Sequence, residues 1–417
     1  MRRGVGTLWL LAFGVGTALA GAPGDAAPLN SGPGSLKLAD ALDLALRQNP
    51  ALAAARARRG IAEAAVRTAG ALGNPEISIE RTRSSPHEVL MLTSPLPLGP
   101  RRGAAITLAE SELAVVDFEI AAAMAELRRD VRVHYHAVAA ADRSAAAGAR
   151  ELDAQRRLLG AAEERLAQGD VAAIEVKQAH LAVARAGAAL QALESEARLA
   201  RAALNADLGR DRAEPVVLAV GNGVSRAPLP ELGPLLERAA QDGRDAKAFA
   251  QKADRARARL SLARASRMPE ITAGAGLELD DPEFGHGAKY TLAITLPVLN
   301  RQQGPIAEAE AELSALAIEK EALRRRLESA VGSAWARAET ARAQIDLHEQ
   351  TLVPAARELS DLHAESYREG AVALVVVLET ERALREVELG QAKAILDYET
   401  ALADLWLAAG LEPEAMR

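Results

Sequence analysis

Strict alternation of apolar and polar positions marks two segments of the chain. In "PEITAGAGLEL", Ile271, Ala273, Ala275, Leu277 and Leu279 fall on one side, and Glu270, Thr272, Gly274, Gly276 and Glu278 on the other. In "KYTLAITL", Tyr290, Leu292, Ile294 and Leu296 alternate with Thr291, Ala293 and Thr295. A period of two with one apolar face predicts β-strands. "EISIE" (Glu76 to Glu80) repeats the pattern over a shorter span, whereas "HEVLMLTSP" alternates poorly and is the weakest of the four predicted strands. The polar stretches "RTRSSPHE" and "DDPEFGHGAK" read as turns, so the four strands form two hairpins. Long alanine-rich segments with interspersed charge fill the rest. They predict helices over Pro50 to Leu72, Ala104 to Gln168 and Val171 to Leu208, and over Arg244 to Arg267, Pro305 to Glu369 and Val372 to Ala409.

The elements come twice in the same order. Gly103, Gly169 and Gly209 recur as Gly304, Gly370 and Gly410, each 201 positions on. The Pro-Glu-Ile of Pro75 to Ile77 recurs at Pro269 to Ile271 with an offset of 194. Each unit reads helix, β-hairpin, an uninterrupted helix of about 60 residues, glycine turn and returning helix. The predicted division is a first repeat over 36–210, a linker over 211–230 and a second repeat over 231–411. The glycines suit left-handed helix C-caps, and Pro305 suits a helix first turn. At 1.5 Å per residue the long helix spans on the order of 95 Å, and the first and returning helices together match it.

The strand-to-helix junctions "SPLPLGPRRG" and "TLPVLNRQQG" also resemble one another. Pro97 and Pro297 remove an N–H where a strand ladder ends. Arg101, Arg102 and Arg301 fall at a water boundary, and Gly103 and Gly304 are expected to let the chain turn sharply into the helix. Two hairpins with an apolar outer face have open edges, which lipid does not tolerate. Closure therefore calls for further copies, and three copies give a twelve-stranded barrel of ordinary size.

Composition sharpens this picture. The 417 residues are 49% hydrophobic but only 3% aromatic, and alanine dominates, as suits helices in close contact. The net charge of −7 is interspersed and no basic stripe carries aromatics, so nucleic acid is not an expected partner. The chain has no cysteine, which excludes disulfides, thiol catalysis, thiolate metal sites and a lipidated N-terminal cysteine. Arg2 and Arg3, an apolar core and Ala18-Leu19-Ala20 read as a cleaved signal over 1–20, followed by a flexible segment over 21–35. Beyond Ala20 no apolar run is long enough for a spanning helix. His134 and His136 stand at i and i+2, on different helix faces, which favours structural roles over a metal pair. His87, His180, His286, His348 and His363 form no cluster, and no catalytic triad or phosphate loop is present. No catalytic residue, cofactor or metal site is expected.

The layout from about Leu36 to Leu411 resembles the TolC family of outer-membrane efflux ducts. The family's tip signature matches Leu166, Gly169 and Ile174-Glu175-Val176, and again Tyr367, Gly370 and Val375-Val376-Val377 with Glu379 beyond. Val376 stands where the family carries an acid. The junction sequences are more similar to the heavy-metal branch, the outer components of cobalt–zinc–cadmium and copper–silver exporters. The resemblance implies a mostly α fold with a small β part. Long antiparallel helices form a helical barrel, and four transmembrane strands per protomer complete a twelve-stranded barrel in a homotrimer. It implies a passive duct, not an enzyme, in the outer membrane and periplasm of a Gram-negative cell. It works with a periplasmic adaptor and a proton-driven inner-membrane RND pump. Leu166, Gly169, Asp170, Glu175, Tyr367, Glu369, Gly370 and Glu379 would then lie at the closed, adaptor-facing tip. Threefold rings of Asp170, Glu175, Glu369 or Glu379 would favour cations; the alternative is that each acid is a solvated helix-surface residue. Two other readings stay open: a duct of the same fold for drug efflux or type I secretion, and a periplasmic coiled-coil scaffold without a pore.

Overall fold

The computed structural model describes residues 35–81, 83, 88–219, 228–281 and 285–411. The expected signal over 1–20, nearly all of the 21–35 segment, His87 and Phe284 lie outside them. In chain order the elements are α1 (Leu38–Gln48), α2 (Pro50–Gly70), β1 (Glu76–Arg81), β2 (Glu88–Leu96), α3 (Arg101–Gln168) and α4 (Ala173–Asp207). There follow α5 (Leu232–Gln241), α6 (Arg244–Ala265), β3 (Glu270–Asp281), β4 (Gly285–Thr295), α7 (Gln303–Leu347), α8 (Val353–Arg368) and α9 (Leu374–Ala409). The order from α2 to α4 recurs from α6 to α9. The short helices α1 and α5, absent from the sequence-based expectation, extend the correspondence upstream. Ala41 and Ala45 of α1 and Leu235 and Ala239 of α5 are buried at matching positions, 194 apart.

With 68 residues, α3 is about 100 Å long. Its upper part packs antiparallel on α2, where Arg59 pairs with Asp117 and Arg102 donates to the Gly70 carbonyl at 2.5 and 3.0 Å. Its lower part packs antiparallel on α4, where a Cβ on Gly148 would meet Leu193 at 2.8 Å. The two partners meet end to end beside it. Asn49 caps α2 by accepting from the Leu52 N–H at 3.0 Å and also donates to the Asp207 carbonyl of α4 at 2.9 Å. Gly209, with φ +70°, closes α4 so near that a Cβ would lie 2.5 Å from the Gln48 carbonyl oxygen. In the second half Gly410, φ +64°, abuts Gly243 and Arg244 in the same way. The stacked-helix arithmetic made from the sequence therefore holds in both halves.

One expected helix is interrupted. The stretch from Pro305 to Glu369 contains a single π turn, His348–Leu352, between α7 and α8. Pro354 has no N–H and its ring crowds the carbonyl four residues back, so the helix widens one turn before it. The core along these helices is alanine-rich, and three of the four tyrosines, Tyr135, Tyr367 and Tyr398, are its largest buried side chains. Among the described residues no helix is long and apolar enough to cross a membrane.

The strands form one antiparallel sheet in the order β1-β2-β3-β4. Its register aligns Ile77, Leu92, Ala275 and Tyr290 in one row, and Ile79, Leu90, Leu277 and Ala288 in another. These rows make an exposed apolar face, with Ile79 74% and Tyr290 81% accessible. The opposite face aligns Ser78, Met91, Gly276 and Lys289. A Cβ on Gly276 would fall 2.2 Å from the Leu90 carbonyl oxygen and 2.3 Å from Met91 Sδ, so only glycine fits this crowded side. The weak alternation of β2 now has a cause: Val89 and Met91 are buried on the inner face, while Leu90 and Leu92 are exposed on the outer one. Both faces of β2 are apolar, and period-two contrast is lost.

Candidate functional site

The junctions are built alike, but not by the residues expected. At each strand end the chain makes a three-residue turn centred on proline: Leu98 N–H donates to the Leu96 carbonyl at 2.7 Å across Pro97, and Val298 N–H to the Leu296 carbonyl at 2.9 Å across Pro297. Gly103 and Gly304 do not re-aim the chain. Both already lie in the first turns of α3 and α7, with open space around them. The left-handed residues come earlier, Gly99 with φ +88° and Gln302 with φ +57°. A helix start needs right-handed dihedrals from its first residue, so the reversal must precede it. Gln302 is held there by its N–H donating to Asn300 Oδ1 at 3.0 Å. Arg101 pairs with Glu270 at the start of β3, tying the two hairpins together, and Arg301 folds back to donate to the Val298 carbonyl at 3.3 Å. Below the sheet Leu299 is 93% exposed and Val298 and Leu98 are also exposed, so the apolar face continues onto the junctions.

At the far end of the rod Gly169 (φ +84°) and Gly370 (φ +79°) terminate α3 and α8 in the left-handed conformation. Asp170 N–H reaches the Arg165 carbonyl at 2.9 Å, and Ala371 N–H reaches that of Ser366 at 2.8 Å, the same six-to-one closure at both tips. The two turns also touch one another. Arg165 donates to the Tyr367 carbonyl at 3.2 Å, and its guanidinium lies 5.0 Å from the centre of the Tyr367 ring. Tyr367 is fully buried among Leu158, Ala162, Ala179, Leu374 and Val377. Among the described residues, neither its hydroxyl nor Glu175 Oε2, both buried, meets a partner at hydrogen-bonding geometry, although the two groups and Arg165 lie close enough to act on one another. Burial raises the Tyr367 pKa and the nearby Glu175 charge raises it further, while Arg165 opposes both. Glu175 is half-buried in this cluster; Leu166, Asp170, Glu369 and Glu379 are exposed around it.

The sequence profile of the outer membrane efflux protein family matches residues 41–210 and 235–411. The chain belongs to that family. It is an outer-membrane efflux channel component, and its family is one of ducts, not enzymes. It is 26% identical over 361 residues to the cobalt-zinc-cadmium resistance protein CzcC of Cupriavidus metallidurans, covering 85% of each chain. Among solved structures it matches a membrane protein of Pseudomonas aeruginosa with TM-score 0.77 and 20% identity, over 89% of this chain and 92% of that one. It matches CusC with TM-score 0.74 and 17% identity, over 90% and 92%. It matches VceC of Vibrio cholerae with TM-score 0.73 and 20% identity, over 89% and 96%.

This efflux channel has one further feature that the motifs did not point to. Between the tip and mid-rod a polar cleft of about 520 Å³ separates α3, α8 and α9. Glu388 of α9 accepts from Arg150 of α3 at 2.6 Å and from Arg357 of α8 at 2.8 Å, and Arg385 donates to Glu151 at 2.8 Å. Burial alone would raise the Glu388 pKa, but the bonds from Arg357 and Arg150 outweigh it and hold the carboxyl low. Glu381, buried and bonded to Ser360 Oγ at 2.6 Å, is raised by that burial. The signal was there: Glu381, Arg385 and Glu388 stand at i, i+4 and i+7 on α9, a polar stripe on a face that is apolar further down at Leu374 and Leu378. His134 and His136 do point to different partners. His134 Nδ1 is 2.5 Å from Asp207 Oδ2, a hydrogen bond that raises its pKa. His136 is buried 3.4 Å from Glu399, and desolvation, with the charges of Arg132 and Arg143, lowers its pKa to about 4.

Proposed function

We propose that the chain forms a homotrimeric duct of a tripartite RND pump, gated at its periplasmic tip and exporting heavy-metal cations. One observation carries the assembly. Among the described residues the sheet leaves the outer edges of β1 and β4 unpaired while exposing a broad apolar face. Lipid requires those edges to be satisfied, and three copies joined β4 to β1 close twelve strands. Residues 36–210 and 231–411 then act as two structural repeats joined by 211–230, each giving a hairpin to the barrel and a helical column to the periplasm. Pro97, Arg101, Pro297 and Arg301 mark the membrane border, and Gly103 and Gly304 open the helices there. Leu166, Gly169, Asp170, Glu175, Tyr367, Glu369, Gly370 and Glu379 form the tip that meets the adaptor.

Because the chain lacks cysteine, the trimer can be tested directly. Ile79→Cys paired in turn with Ala288→Cys, Tyr290→Cys or Leu292→Cys should give an oxidation ladder ending at three subunits; a ladder ending at two would refute the closure. The metal substrate rests on the likeness to CzcC. Expression in cells lacking their own metal-pump outer component should restore growth on zinc, cobalt or cadmium salts. Rescue of dye tolerance without metal tolerance would instead assign a drug-efflux duct.

A further inference from the structure

A second cavity, of about 270 Å³, lies where the end of α9 meets the start of α6 against α3. Its lining is unusual for a helix joint. Arg128, Arg129, Arg132, Arg244 and Lys247 supply five cations, and Asp242 is the one acid that lines it. The floor is apolar, with Phe118, Leu407 and Leu411 beside Trp406. Arg128 has a partner of its own, Arg129 pairs with Asp130 and Asp404, and Arg244 pairs with Glu126 and Asp245. Arg132 differs. Its guanidinium stacks 4.4 Å from the centre of the Trp406 ring and makes no hydrogen bond or ion pair among the described residues. Burial lowers its pKa, with partial compensation from the charge of Glu399. Lys247 is exposed at the rim and likewise makes no ion pair there. The cavity also receives the start of α6, whose N-cap, Gly243, offers no side-chain acceptor to the first-turn N–H groups.

The other half of the molecule serves as an internal control. The corresponding joint, α4 on α2, keeps the glycine pressed on the helix start but neither the indole nor the cations at the helix start. Asn205 replaces Trp406, and Pro50 and Ala53 replace Arg244 and Lys247. Joining two helices end to end therefore does not require Arg244, Lys247 or the indole. We propose that this cavity binds a small amphiphilic organic anion, a carboxylate on an apolar body, with Arg132 and Lys247 meeting the charge and Trp406, Phe118 and Leu407 the apolar part. A charge-assisted bond from a partly desolvated guanidinium gives the site its sign, and the floor gives it a preference for carbon over bare inorganic ions. The site does not depend on which cargo the duct carries.

Calorimetric titration of the full-length protein in lipid nanodiscs tests this, with cyclohexanecarboxylate as the probe. The expected result is saturable binding at one site per protomer, at least about tenfold weaker for the neutral cyclohexylmethanol and for inorganic phosphate. Arg132→Gln and Lys247→Gln should each weaken it at least about threefold, and Trp406→Leu should weaken it with Tyr290 and the barrel untouched. Lys247 is exposed, so its variant keeps the test valid if Arg132→Gln assembles poorly. Absence of saturable heat, equal affinity for the alcohol or for phosphate, or an affinity unchanged by Lys247→Gln would overturn the proposal.

Discussion

The joint of α4 on α2 and the joint of α9 on α6 are the same piece of backbone carrying different side chains. Both end in a left-handed glycine pressed on the start of a helix, Gly209 on Gln48 and Asn49, Gly410 on Gly243 and Arg244. At the first joint Asn49 caps α2 and bonds the end of α4. At the second, Gly243 has no side chain to do either, and a Cβ there would lie 2.2 Å from the Ala239 carbonyl oxygen. The duplicated architecture constrains main-chain geometry at the points where helices touch, and leaves side-chain chemistry free to diverge. The cationic cavity sits on the divergent side of that division.

The comparison can be broken in graded steps. Gly209→Ala combines a left-handed residue with a backbone overlap at 2.5 Å and should cost about 3 kcal/mol. Gly410→Ala, where the nearest atom is 3.0 Å away, should cost about 2 kcal/mol, and Gly169→Ala, with open space around it, about 1 kcal/mol. Equal losses of thermal stability across the three would remove the close approach as the cause. The solution used at one joint should not transfer to the other: Gly243→Asn is expected to destabilise by about 2 kcal/mol where an asparagine cap would ordinarily help. Asn49→Ala should cost about 1 kcal/mol in the same assay.

Smaller still is the effect of the His134–Asp207 pair, which the second joint lacks. The hydrogen bond to Asp207 raises the folded pKa of His134 above its ordinary 6.5. Its contribution is therefore complete below that value and disappears as pH rises through the raised folded pKa. Half-exposed as the pair is, the fall in stability should be under about 1 kcal/mol. Thermal melts of Asp207→Asn should show that slope flattened. At the tips, Glu379 is exposed whereas Glu175 is half-buried beside Tyr367 and Arg165. Glu379→Gln should lower the cation-over-anion permeability ratio of the reconstituted channel by about twofold, and Glu175→Gln should act less on that ratio than on the fraction of time open. Identical effects of the two substitutions would erase the distinction drawn between them.

Much of the frame was legible because it is written in short-range rules. Alternation located β3 to within about two residues and the end of β4 to within one, though β4 begins four residues before the alternating stretch, and the repeated glycines located the left-handed helix C-termini at Gly169, Gly209, Gly370 and Gly410. What was missed followed from pairing at a distance. The π turn depends on how a helix already packed on α9 accommodates Pro354. The junction reversal falls on Gln302 because Asn300 captures its N–H, and no propensity favours glutamine there. The polar cleft exists because Arg150, Arg357 and Glu388 come from three helices.

By itself the sequence determined the two equivalent arms, their lengths and the apolar outer face of the strands, since periodicity and capping act over a few residues. Only the tertiary structure decided which charges meet, which tyrosines are enclosed and that Arg132 lies over Trp406. Those pairings join positions hundreds of residues apart, and their energies depend on distance and burial that no local pattern encodes.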